Sequence, residues 1–183
     1  RGHSERVADY AEKIARGLKF SEEMVEMVRY AALLHDVGKI GVSRKILNKP
    51  SRLSRSEYEV IQEHPRIGAK IIEEVDFLQG PLTAVLHHHE HVDGSGYASG
   101  LKGDEIPLIA KILTVADSFD AMTSVRPYRD AMSIENACRE LRRCTGTQFD
   151  KVAVEAFIGA LGTEVVAGTA IEEREISVVL EEV

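Results

Sequence analysis

The sequence predicts an all-α bundle, and three observations carry that prediction. Apolar residues recur at three- and four-residue spacing along most of the 183 positions. Helix-start signals stand in front of these runs: Ser21, the Ser54/Glu57 pair, Pro81 and Pro107. Alternation that suits a strand is confined to the terminal IEEREISVVLEEV, which reads either as a short strand or as an ordered tail.

The elements follow in order. Residues 3–18 carry Val7, Ala11, Ile14 and Leu18 on one stripe. Ser21 caps a helix over 22–35, with Met24, Val28, Ala31 and Ala32 facing in. Ser54 and Glu57 form a capping box for a helix that ends near His64, where Pro65 blocks continuation. A shorter helix covers 66–74. Pro81 opens a helix over 81–89, the Gly- and Asp-rich stretch 93–104 is a loop, and Pro107 opens the strongest helix, 107–122. Helices over 133–144 and 150–161 complete the bundle. No repeat or linker divides the chain, so it is one domain. Its start, RGHSERV, lacks an initiator Met and already lies inside a helix, which suggests a domain cut from a longer protein.

Composition narrows the function classes. The chain is 44% hydrophobic and only 5% aromatic, with no Trp, so an aliphatic core is expected. A net charge of −7 repels nucleic acid polymers, and any anionic ligand must be caught by a local cluster of bases. Cys138 and Cys144, six apart and on different helix faces, read as packing residues in a reducing compartment. No apolar run approaches the roughly 20 residues of a membrane span, and no signal peptide is visible.

The informative residues are polar ones on apolar stripes. His3 lies four before Val7; His35 follows Ala31 by four, and Asp36 follows Ala32 by four. His64 follows Val60 by four and Ile61 by three. In 107–122, Asp117 and Asp120 continue the stripe of Ile109, Leu113 and Ala116, while Lys111, Thr114 and Ser118 make the wet face. The stretch HHHEHVDGSGYASG, 87–100, holds four of the seven histidines. His89 falls on the stripe of Leu82, Val85 and Leu86, and His88 flanks it. His87 is turned away and His91 lies beyond the helix, so surface or supporting roles are expected for both. Five helices thus aim imidazoles or carboxylates at one interior. An unpaired buried carboxylate costs several kcal/mol, roughly, and neutral imidazoles cannot all satisfy one another in a dry core. A bound cation resolves this, and imidazole with carboxylate suits Fe, Mn, Zn or Ni. Adjacent ligands roughly 100° apart on a helix can each serve a different ion of a pair.

The doublet in LLHDVGKIG, His64-Pro65, HHEHVDGSGYASGL and VADSFDAMTSVRPYR, taken in order, closely resemble the HD-GYP subgroup of the HD metal-dependent phosphohydrolases. The likeness runs from HSERV to about GTQFD. It implies an HD-domain helical bundle with additional C-terminal helices. As metal ligands it implies His3, His35, Asp36, His64, His88, His89 and Asp117, with Asp36 bridging. It also implies two or three divalent ions, iron first and manganese next. The glutamate of three-metal members would precede Arg1, so two ions are expected here. The implied activity is hydrolysis of cyclic di-GMP to linear pGpG and then GMP, by attack of a metal-bridged hydroxide on phosphorus. An upstream sensor or receiver domain, diguanylate cyclase domains and a homodimer are the further partners to consider. The implied location is the bacterial cytoplasm, free or as the cytosolic part of a membrane-bound sensor.

Around the ligands, Asp36, Lys39 and Asp120 form the expected catalytic set. Lys39, three after Asp36 in a Val-Gly-Lys turn, is placed to pair with a phosphate oxygen or else is a solvated loop lysine. Asp120 either orients the nucleophile or pairs with a base. Tyr97 in DGSGY, with Lys39, Arg126 and Arg129 of SVRPYR, makes the expected substrate-binding set: stacking from the tyrosine, phosphate or guanine-edge contacts from the bases. Arg6 is either a support behind His3 or exposed. One departure from the family pattern is Ala98, where it has Pro; the loop regains an N–H and should gain freedom. The alternatives are a catalytically weak, metal-bound receptor of cyclic di-GMP or of a partner protein, and a phosphohydrolase of another nucleotide.

Overall fold

A computed structural model describes residues 2–75, 78–125 and 130–162. Arg126, Arg129 and the terminal IEEREISVVLEEV lie outside the described residues. Within them the chain is helical, and a single bridge, Thr145 to Phe149, is the one β-type pairing. The elements are α1 (His3–Gly17), α2 (Glu22–Leu34), a 3₁₀ turn (Val37–Gly41), α3 (Arg44–Leu47), α4 (Arg55–Gln62), α5 (His64–Glu73) and α6 (Gln79–His87). A second 3₁₀ turn (Gly103–Glu105), α7 (Leu108–Thr123), α8 (Ile134–Arg143) and a last helix, α9, over 151–162 follow. No described helix is long and apolar enough to cross a membrane.

The start signals behave as their chemistry demands. The Ser21 hydroxyl accepts from the Met24 amide, satisfying one of the free N–H groups of the first turn of α2. Ser54 and Glu57 close a reciprocal box at α4. Val7, Ala11 and Ile14 of α1 are fully buried against α2 and α7, and Val28, Ala31 and Ala32 meet them from α2. α9 adds Ala153, Val154 and Phe157 to the same core.

Four expectations need correction. The core is not purely aliphatic: Tyr10, Phe119 and Phe157 pack edge to face with ring centroids 4.7–5.7 Å apart. His64 does not end α4 but begins α5, and Val60, on which its placement rested, is exposed. Pro65 is the reason: it starts a helix as readily as it ends one, because its missing N–H is not needed in the first turn. α6 begins two residues before Pro81 and ends at His87, so His88 is its cap and His89 lies past it. Finally, α7 has no wet face at Lys111 and Thr114. Ten of its 16 residues are buried, and it is the central helix. The Thr114 hydroxyl is shared between the Ala110 and His88 carbonyls, at 2.9 and 2.8 Å. The Lys111 ammonium lies 3.5 Å from Asp150 and 3.7 Å from Asp104. Both polar groups are thus satisfied while buried.

Candidate metal centre

Three histidines share one local device. His35 caps α2, His64 opens α5 and His88 caps α6. Each places Nδ1 against the carbonyl three residues earlier: Ala32 at 2.6 Å, Ile61 at 2.8 Å and Val85 at 2.7 Å. A carbonyl only accepts, so Nδ1 carries the proton and Nε2 presents its lone pair. His3 is held likewise, its Nδ1 2.8 Å from the Asp120 carboxylate.

The free donors converge in two trios, the atoms of each within 4.8 Å of one another: His64, His88 and His89, and His3, His35 and Asp117. Asp36 lies between them. One of its oxygens is 3.5 Å from His64 Nε2, and the other is 3.6 Å from His35 Nε2 and 3.7 Å from His3 Nε2. Asp117 is 3.4 Å from His3 Nε2.

The electrostatics leave the His64, His88 and His89 trio short of protons. Burial, and then the neighbouring His64, depress His89 to about 3. Burial also lowers His64 and His88. Burial alone would raise Asp36, but attraction to His35 when that ring is protonated, and the charge and hydrogen bond of the Lys39 ammonium, outweigh it and hold the carboxyl below its ordinary value. His64 Nε2 and His88 Nε2 therefore face each other at 3.3 Å with no proton assigned to the gap. His35 Nε2 and one Asp36 oxygen are buried without any hydrogen-bond partner. Divalent cations, one to each trio, would satisfy these atoms, and a set of imidazoles and carboxylates without thiolate suits them. The residues fit a metal centre.

All seven expected ligands are thus brought together, but they group differently from the helix-spacing expectation. His88 and His89 fall in the same trio rather than one in each. Because α6 ends before both, the helical offset between neighbours does not apply. Their rings lie 4.1 Å apart. His87 and His91 stand apart from both trios; His91 bonds to the Ser95 hydroxyl at 3.0 Å.

The rim carries the remaining predicted residues. The Lys39 ammonium is 2.6 Å from Asp36 and 39% exposed, so it is neither buried nor simply solvated. Its turn packs so tightly on α5 that a Cβ at Gly38 would collide with the His64 carbonyl. Tyr97 stacks on His89, centroids 4.7 Å apart. Asp120, 1% exposed, is not free to contact a nucleophile: it accepts from His3 Nδ1 and from Arg6, at 3.0 Å from Arg6 Nη2. Burial would raise its pKa, and the hydrogen bonds from Arg6 and His3 override that. Arg6 is therefore the support behind His3.

Sequence reasoning missed Glu90. It is 2% exposed, and one oxygen accepts from the amides of Ala98, Ser99 and Gly100, at 3.2, 2.6 and 3.1 Å. The amide regained at Ala98 is therefore used, and its carbonyl accepts from Arg66. The loop is held where freedom was expected.

The sequence profile described as HD domain matches residues 1–152. A cyclic di-GMP phosphodiesterase of Thermotoga maritima is 43% identical over 158 residues, covering 85% of this chain and 43% of that protein. The 3'3'-cGAMP-specific phosphodiesterase 3 of Vibrio cholerae is 42% identical over 160 residues, covering 87% and 35%. The chain thus spans less than half the length of either relative. A solved structure described as an HDG"Y"P protein from Bdellovibrio bacteriovorus superposes with a TM-score of 0.70 at 18% identity, over 87% of this chain and 51% of that one. That likeness concerns the fold, and it accords with the helical bundle expected from the motifs.

Proposed function

Because this chain belongs to the HD domain family, we propose that it is a metal-dependent phosphodiesterase that hydrolyses cyclic di-GMP to pGpG and then to GMP. The observation that carries this reading is Asp36, one oxygen toward each of two trios of imidazole and carboxylate donors. His64, His88 and His89 would hold one divalent ion, His3, His35 and Asp117 the other, with Asp36 common to both. Iron is the first choice and manganese the second. Ions held there lower the pKa of water and neutralise charge on a phosphodiester.

The chain's own residues supply the rest. Asp120 and Arg6 fix the tautomer and direction of His3. Lys39, at the mouth, can exchange its contact with Asp36 for a non-bridging phosphate oxygen. Tyr97 covers the outer face of His89 and offers the opposite side of its ring to a base. Arg126 and Arg129 would meet the second phosphate or a guanine edge. An upstream sensor or receiver domain, diguanylate cyclase domains, a homodimer and a cytoplasmic location complete the proposal. A second reading, cyclic GMP-AMP as substrate, is favoured by the 42% identical relative.

Asp36→Ala is expected to lose both bound metal and hydrolysis, measured by elemental analysis and chromatography on one sample. Arg126→Ala should mainly weaken substrate binding. Hydrolysis retained in Asp36→Ala would overturn the mechanism. Offering cyclic di-GMP and cyclic GMP-AMP side by side separates the two readings.

A further inference from the structure

Glu90 belongs to neither trio, yet its side chain is among the most buried polar groups of the described residues. One oxygen gathers three consecutive amides, Ala98, Ser99 and Gly100. The first two of those residues flank a peptide whose carbonyl is taken by Arg66, two residues into α5 from His64. The Tyr97 amide also donates to the His89 carbonyl at 3.1 Å. At Gly96 there is no space for a side chain: a Cβ would lie 2.6 Å from Glu90 Cα and collide with the His89 carbonyl and His91 amide. The loop 96–100 is thus folded back onto the segment that carries His88 and His89, and tied at its far side to the helix that carries His64.

We infer that Glu90 is a positioning residue: by clamping the amides of 98–100 it holds Tyr97 against His89 as a fixed wall of the substrate site. Bonds from backbone amides to a buried carboxylate are charge-assisted and stronger than neutral ones. An Ala at position 98 adds a donor that a Pro would lack, so this clamp has three amides rather than two. Ser99 and Gly100 are exposed, so at this end of the loop the carboxylate, rather than burial of side chains, holds the backbone. The substrate half of the inference rests on the phosphodiesterase reading; the clamp itself does not.

The test combines amide hydrogen exchange with steady-state kinetics on the metal-loaded protein, using cyclic di-GMP. The amides of 98–100 should be protected in the wild type although two of the three residues are exposed. Glu90→Gln, which keeps a neutral acceptor, should exchange roughly tenfold faster there, and Glu90→Ala faster still. Ala98→Pro removes one donor without disturbing the buried carboxylate, and keeps the test alive if Glu90→Ala does not fold. In the Gln and Pro variants KM should rise about fivefold with metal content unchanged and kcat within about twofold. Unprotected amides in the wild type would overturn the clamp. Protected amides with KM unmoved in both variants would overturn the wall. A wild type with protected amides and no turnover would instead count against the phosphodiesterase reading alone.

Discussion

His3 shows how much a single side chain depends on what stands behind it. Its Nδ1 proton is held by Asp120, which is held in turn by Arg6, so Nε2 points at Asp117 and Asp36. Asp120→Asn keeps the shape and removes the charge. It is expected to weaken metal binding roughly tenfold or more at the His3 trio, while leaving the fold intact. Metal titration read against circular dichroism checks this, and full affinity in the variant would leave Asp120 without the assigned role. At this scale the proposed ligands were singled out as polar residues at apolar spacings, as with Asp36 four after Ala32. The spacing that picked out His64, however, ran through the exposed Val60, and His88 and His89 lie past the end of α6. Asp120 was legible as inward-facing but not in its role, since periodicity fixes direction and not partners. Glu90 was not legible. It sits past the end of α6, where no spacing rule applies, and its three partners come from eight to ten residues on.

Helix ends, more than helix faces, build the centre. His35 and His88 cap α2 and α6, and His64 opens α5. An imidazole at a helix end can bond the carbonyl three residues back and still direct Nε2 outward. This is why the helical offset failed to sort His88 from His89, and why Pro65 was misread as a stop. The face of α7 was misread for a related reason: Thr114 looks solvated in sequence but is shared between two carbonyls, one belonging to His88. Thr114→Val, close in volume, should destabilise the fold by about 1 kcal/mol, because it leaves the His88 carbonyl without that donor. A denaturant titration would measure it. A loss near zero would mean that the hydroxyl does not tie α7 to the site.

Across the described residues, α1, α2, α5, α7 and the end of α6 converge on one cluster of imidazoles and carboxylates, and α1, α2, α7, α8 and α9 share the aliphatic and aromatic core. The bundle was readable from sequence as a set of amphipathic helices, α7 the strongest among them; what was not readable was that α7 is buried at Lys111 and Thr114, where polar side chains suggest a solvated face. With His64 and His88 facing at 3.3 Å without a shared proton, the folded chain gains stability from any cation it binds. Chelation should therefore lower the melting temperature, and restoring metal should raise it again in proportion to occupancy. An unchanged melting temperature would mean that the five-helix convergence needs no metal.

The most direct measurement is metal content of anaerobically purified protein together with cyclic di-GMP turnover on the same sample. The account predicts about two equivalents of divalent metal per chain, as expected for a paired site, with pGpG or GMP appearing. Metal-free protein after reconstitution, or metal-loaded protein that turns over no cyclic dinucleotide, would contradict it.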